Sequence, residues 1–187
     1  QTIPIRQIRP QRAMLDAALE YWNPVTHVFA FPGGELCPVP EEIAALGGWR
    51  LDAKPVTPVF VNLWETYYCQ HLGLTSREAH DMIEGSSVDL FAIVRKFMDF
   101  KNPLVSPTHI RRAFGLIMLH LYVFDGLTRE SVVDVTLCMG EAKLLGVVMQ
   151  MEEKSNPSWL ILAENIGSLD ARKRGPGSPS ASPGLAF

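Results

Sequence analysis

The fold is decided by residues 106–122, which read SPTHIRRAFGLIMLHLY. Ser106 favours the start of a helix, and Pro107 suits the first helical position because the amide hydrogen that proline lacks would have no partner there. The apolar residues that follow recur at the spacing of one helical face, and the second half is apolar on its other side as well. We therefore predict a helix through the centre of the domain, with Arg111 and Arg112 at its solvent end.

Similar patterns mark helices on both sides of this segment. Thr75 and Glu78 have the spacing of a capping box, Gly85 is expected to close that helix, and Ser87 is expected to cap a mostly apolar, buried one. The predicted helices other than the central one cover 11–21, 40–48, 63–74, 75–85, 87–98, 128–150 with a break at Gly140 or Gly146, and 156–170.

A β-hairpin is predicted near the N-terminus. Residues 27–31 form a short apolar run, 32–34 read Pro-Gly-Gly, and 35–37 can pair back as the second arm. The predicted fold class is therefore mainly α, a multi-helix orthogonal bundle with one small β-hairpin near the N-terminus.

The domain organisation follows from composition. Residues 1–10 are a loose lead-in, 11–171 are one helical domain, and 172–187 are a disordered tail, because nine of its sixteen residues are Gly, Pro or Ser. The last helix carries an apolar stripe that includes Trp159 and Ala163. We expect that stripe to show exposed apolar area here, because its packing partner is expected beyond Ala171, in a longer domain.

Bulk properties narrow the function classes. Hydrophobic residues make up 47% and the net charge is −3, so the chain is globular and lacks the basic character that phosphate backbones select. The longest apolar stretch, 113–124, is shorter than the roughly 20 residues of a membrane span. The odd number of distant cysteines, Cys37, Cys69 and Cys138, indicates an intracellular protein with buried, reduced thiols.

Candidate catalytic and metal-binding residues do not form a recognisable pattern. No two of the five histidines lie four residues apart, and Cys69 and His71 lack the second close pair that a zinc site needs. We interpret all five as packing or surface residues: His27, His71, His80, His109 and His120.

Four further features have simple structural interpretations. The carboxylates of Asp81, Glu84 and Asp89 are expected to be solvated or to cap helices, and Cys37 is expected to be a buried thiol without a partner base. Gly33-Gly34 and Gly47-Gly48 match no phosphate-binding loop. Arg172-Lys173-Arg174 is a weak match to a nuclear-import patch. We therefore assign no catalytic, cofactor-binding or metal-binding residue.

Three passages together resemble the plant mobile domain family, whose members are also labelled aminotransferase-like, and in particular its retroelement-associated branch. They are YWNP at 21–24 with FAF at 29–31 and GELCPVPEEIAAL at 34–46, RRAF at 111–114 running on to Val123-Phe124, and NPSWLILAENIGSL at 156–169. They occur in the family's order over about residues 11–171, although Cys37, Pro40 and the stretch 138–154 depart from it and the family's C-terminal half is absent.

The resemblance implies a noncatalytic interaction module derived from a plant transposable element, acting inside the cell and in the nucleus, in silencing or genome maintenance. It implies a protein partner of unknown identity, no membrane and no small-molecule substrate. Two alternatives stay open: a retroelement gag or capsid-like assembly protein, and an enzyme, either a hydrolase or pyridoxal-dependent. The last would need a Schiff-base lysine and phosphate-cradling groups, which the sequence does not show in context.

Overall fold

The computed structural model describes residues 12–97, 105–122 and 139–174. Within these ranges the chain forms eight helices and six short strands and is mainly α, as predicted. The helices are α1 (Arg12–Glu20), α2 (Pro40–Gly47), α3 (Trp64–Leu72), α4 (Ser76–Met82), α5 (Leu90–Phe97), α6 (Pro107–Tyr122), α7 (Leu144–Glu152) and α8 (Ser158–Arg174). The strands are β1 (Trp22–Asn23), β2 (Val28–Phe31), β3 (Gly34–Leu36), β4 (Ile83–Glu84), β5 (Ser87–Asp89) and β6 (Met139–Glu141).

Helix α6 is the central helix that the sequence predicts. The Ser106 hydroxyl accepts a hydrogen bond from the Thr108 amide at 3.3 Å, so the predicted cap is confirmed. The helix packs on α3, α5 and α7, and one continuous apolar core surrounds it. Ala113 and Leu116 of this helix are fully buried in the core, whereas Phe114 is half exposed.

The predicted N-terminal hairpin is confirmed and has a third strand. β2 pairs antiparallel with β3, and β1 adds to the other edge of β2 with Trp22 opposite Phe29. The connection from β1 to β2 is held by Asn23, whose side-chain oxygen accepts hydrogen bonds from the amides of Val25 and Thr26. A side chain that folds back on its own turn in this way favours tight reversal of the chain.

A second three-stranded sheet, β4-β5-β6, was not predicted. Gly85 does not close a helix: with a φ of +60° it lies in the turn between β4 and β5, a conformation that costs glycine little. Ser87 does not cap α5 either, because it lies in β5. The cap is Asp89, whose Oδ1 accepts from the Ala92 amide at 2.9 Å. α5 itself buries one face and leaves Arg95 exposed, so it is not buried all round.

The helix predicted over 128–150 is confirmed over 144–150, which lie in α7, and is wrong over 139–141. Residues 139–141 form β6, and Gly146 lies inside α7 and does not break it. Both glycines are sites of close approach: a Cβ on Gly140 would enter the His120 ring, and one on Gly146 would lie 2.8 Å from a methyl of Val59. The predicted break at Gly140 is thus a strand, and residues 128–138 lie outside the described residues.

Helix α8 begins at Ser158, directly after the predicted start at Asn156-Pro157, and continues to Arg174, three residues past the expected domain boundary. It packs on α2 and on α1. The Lys173 ammonium donates to the carbonyls of Leu19 and Glu20 at 2.8 and 2.9 Å, where it neutralises the C-terminal end of α1. None of the helices in the described part of the chain is both long and apolar enough to cross a bilayer.

Candidate functional site

The histidines and cysteine that the sequence placed closest together do not meet around one point. The His71 ring packs at a tilt against Tyr67, with centroids 4.3 Å apart, while His80 points to Glu65, with Nδ1 3.2 Å from its carboxylate. Burial lowers the pKa of His71, and Arg112 lowers it further. Among the described residues, no three His, Cys, Asp or Glu side chains are arranged to hold a metal ion.

The three candidate carboxylates lie on three different elements, α4, β4 and β5. Asp81 lies near Arg77, 4.0 Å away on the exposed side of α4, Glu84 is exposed in β4, and Asp89 caps α5. The interpretation as solvated groups and caps is therefore confirmed for this set.

The expectation of buried cysteines is wrong for Cys37, which is exposed. It follows β3, the outer strand of the N-terminal sheet, whose residues are all exposed, so no core covers the thiol. Cys69 is partly buried in α3, and Cys138 lies outside the described residues.

Residues in the passages that resemble the family connect two parts of the chain to α8. These parts are the N-terminal sheet and the loop 50–56. Trp22 is 2% exposed, and its indole Nε1 donates to Asp170 at 2.7 Å. The other oxygen of that carboxylate lies 3.3 Å from Nε2 of His27. Asp170 thus fixes the hairpin to the last helix.

Asn156 makes the corresponding link at the start of α8. It is 1% exposed; its side-chain oxygen accepts from the Ser158 amide at 2.9 Å, and its Nδ2 donates to the Arg50 carbonyl at 3.1 Å. Its backbone bonds to Lys54 and Val56 as well. The Asn-Pro motif is therefore a helix cap that also ties down the loop 50–56.

An apolar concavity among the described residues lies beside this link and is the candidate site. We call it the α8 groove, a depression of about 440 Å³ between the segment 56–61, the start of α3, α7 and the start of α8. Its lining is almost wholly apolar: Val56, Thr57, Pro58, Val59, Phe60, Val61, Trp64, Lys143, Val147, Trp159, Leu160 and Ala163.

Large apolar side chains stand exposed along this groove. Phe60 is 78% exposed, Trp159 55% and, just past the lining segment, Leu63 54%. Trp159 lies off the buried face of α8, which carries Ile161 and Leu162. Exposed apolar area on the Trp159 helix was expected, and it is present.

The wall formed by 59–61 has unused backbone groups. Val59 and Val61 are half-buried while Phe60 between them points out, the alternation that an extended segment produces. Within the described residues, the amides of these three residues donate no hydrogen bond. Upstream, the same segment is anchored by Gln150, whose side chain bonds to both the amide and the carbonyl of Thr57.

One end of the groove is charged. The Lys143 ammonium lies 2.9 Å from Glu141, and Glu164 stands on α8 next to the lining residue Ala163. Burial raises the pKa of Glu164, and the neighbouring Glu141 raises it further while Lys143 opposes this. Lys143 thus forms an ion pair with Glu141, and Glu164 adds a second carboxylate at this end.

Sequence patterns gave only part of this site. The apolar run VTPVFV at 56–61 has a proline and no helical period, so periodicity assigns it to no helix. An unusually apolar loop before a helix that starts with Trp64 was the signal that could have found it, because loops in globular proteins are normally polar at the surface.

The chain is similar over 152 residues to "Serine/threonine-protein phosphatase 7 long form homolog" from Arabidopsis thaliana, at 29% identity. The similarity covers 79% of this chain and 10% of that plant protein, so the chain spans about a tenth of its relative. No family model matches the chain, and no solved structure matches it.

Proposed function

We propose that this chain is a noncatalytic plant interaction module of the plant mobile domain family, derived from a transposable element, that binds a protein partner through the α8 groove. The observation that carries the proposal is the exposed aromatic and aliphatic lining of that groove. Contiguous exposed apolar surface of this kind is typical of protein interaction sites.

Two other observations support the proposal. The similar protein comes from a plant, and the sequence passages that resemble the family occur in its order. Those passages contain Trp22 and Asn156, whose contacts are structural, so the resemblance concerns a scaffold and assigns no reactive group. An intracellular, nuclear location and a role in silencing or genome maintenance are part of the proposal on the strength of the resemblance.

The experiment compares two single substitutions at exposed apolar residues. Phe60→Ser removes an exposed anchor of the groove, whereas Leu46→Ser changes a residue that is 90% exposed on α2, outside the groove lining. Tagged wild-type protein and both variants are used to capture proteins from plant nuclear extract, with quantification by mass spectrometry. We expect a set of proteins that is retained by wild type and Leu46→Ser and depleted about tenfold by Phe60→Ser. Identical sets for all three would contradict the proposal.

Phosphatase activity is the enzyme class that the relative's name raises. The chain spans only a tenth of that protein, and the described residues do not gather three metal-ligating groups. We expect p-nitrophenyl phosphate hydrolysis, measured with added Mg²⁺ or Mn²⁺, to equal that of buffer alone. Hydrolysis that copurifies with the folded protein through two chromatographic steps would refute a noncatalytic role.

A further inference from the structure

We infer that the α8 groove binds an extended segment of a partner protein in which large apolar residues alternate and a Lys or Arg follows at the end that lies near Glu141 and Glu164. This inference rests on the proposed function and specifies the chemistry of the partner. It follows from three features of the groove: its backbone wall, its aromatic lining and its charged end.

The backbone wall favours an extended partner over a helical one. The amides of Val59, Phe60 and Val61 are unpaired within the described residues, and the segment alternates in exposure like a strand. An added strand pairs its own main chain with such a segment, while a helix has no free backbone groups to offer. A partner strand would therefore satisfy hydrogen bonds that a helix would leave unmade.

The aromatic lining of the groove favours large apolar side chains at alternate positions of the partner segment. Trp64, Trp159 and Phe60 present ring surface to a groove of about 440 Å³, a volume within the range of sites that bury most of a small ligand. In an extended segment every second side chain faces the same side. Two or three large apolar residues at alternate positions would fill this lining.

The charged end selects the sign of the flanking residue. With both carboxylates ionised, Glu141, Glu164 and Lys143 sum to a charge of −1 beside an apolar surface. A partner cation placed there would reduce the repulsion between the carboxylates and would pair with the one that Lys143 leaves unmatched. An acidic partner residue would instead add to the excess charge.

The test begins with selection from a display library of random octapeptides on the immobilised full chain. We expect enriched peptides to alternate large apolar with other residues and to carry a Lys or Arg towards one end. The most enriched peptide is then synthesised with a fluorophore, and its Kd is measured by anisotropy. Phe60→Ser and Trp159→Ser should each raise the Kd about tenfold, with Leu46→Ser as the unchanged control.

The charge requirement is tested with the same peptide. Glu164→Gln and Glu141→Gln should each raise the Kd about twofold to fivefold at low salt, the range of a partly exposed ion pair, and higher salt should remove the difference. Glu41→Gln, an exposed carboxylate on α2, is the matched control and should leave the Kd unchanged. Equal Kd values for all three variants would overturn the charge assignment.

Other occupants give different results. Enrichment of acidic peptides, of apolar residues at helical spacing, or of nothing at all would overturn the inference. So would self-association of the chain that Phe60→Ser abolishes in sedimentation velocity, because a second copy would then occupy the groove. If nuclear proteins still depend on Phe60 while the peptides fail, the proposed function stands and only the partner chemistry is wrong.

Discussion

At the scale of single residues, several polar side chains stabilise the fold through specific hydrogen bonds. Asn156 caps α8 and holds the loop 50–56, and Asp170 holds the hairpin through Trp22. His120 is 4% exposed, and its Nε2 accepts a short hydrogen bond from the Glu141 amide. Buried polar groups are costly unless they are paired, so these contacts are where single substitutions should matter most.

Asn156→Ala should lower the free energy of unfolding by about 2 kcal/mol, because it removes a helix cap and one of the two donors to the Arg50 carbonyl, which keeps only the Ala53 amide. Urea denaturation followed by circular dichroism measures the change. Asn165→Ala, on the exposed side of the same helix, is the control and should change stability by less than about 0.5 kcal/mol. Equal effects of the two substitutions would contradict the role assigned to Asn156.

His120 should make stability depend on pH. Burial lowers the pKa of this imidazole in the folded state, and Glu141 offsets this only in part. As pH falls through the ordinary histidine pKa of about 6.5, this imidazole becomes protonated in the unfolded state but stays neutral in the folded state. The free energy of unfolding therefore decreases on acidification. The loss should level off below the folded-state pKa.

The comparison that isolates this effect is His120→Gln, whose amide oxygen can still accept from the Glu141 amide. Unfolding free energies of both proteins are measured between pH 8 and pH 5. We expect the wild type to lose stability relative to the variant below about pH 6.5, since the other histidines are common to both. Parallel curves would show that His120 takes up its proton equally well in the folded state.

At the scale of elements, the N-terminal sheet is held to α8 mainly by one carboxylate. Asp170→Ala should therefore release the hairpin locally, with a loss of about 1 to 3 kcal/mol from the buried indole donor. Hydrogen exchange of residues 28–36 should accelerate while that of α6 is unchanged. Asp170→Asn keeps an oxygen that accepts from Trp22 and should retain most of the protection; acceleration equal to that of Asp170→Ala would contradict this assignment.

Helix α7 packs against the segment 59–61 of the groove, with Gly146 next to the Val59 side chain. A methyl group on Gly146 would meet Val59 at 2.8 Å and would displace the segment 59–61, although alanine favours a helix by up to about 1 kcal/mol over glycine. Gly146→Ala should thus weaken peptide binding at the groove without lowering thermal stability. Unchanged affinity would mean that the position of this segment does not matter for binding.

Elements coded by adjacent residues could be predicted, and elements formed by distant residues could not. Helix starts at Pro40, Thr75 and Pro107 were found because cap and helix are contiguous. The second sheet was missed because β6 pairs with β5 about fifty residues earlier, and none of its strands has more than three residues. Long-range pairing of such short strands leaves little local signal.

At the scale of the whole molecule, the candidate site combines three separate stretches of the chain, which explains why sequence periodicity did not locate it. Periodicity reports which face of a helix is apolar, yet it cannot say whether another element covers that face. Trp159 shows the limit: its spacing fits the stripe of α8, but it is 55% exposed and borders the groove. The burial of α6, by contrast, follows from apolar residues on two sides of one helix.

The central claim is the proposal that the α8 groove binds an extended segment of a partner protein. Hydrogen–deuterium exchange of the full chain, with and without a saturating amount of the tightest selected peptide, tests it most directly. We predict slowed exchange of alternate amides in the segment 59–61, on the edge that the peptide pairs with, and of the start of α8, and no change in α2 or in the N-terminal sheet. Protection centred elsewhere, or exchange that is identical in both samples, would contradict the account.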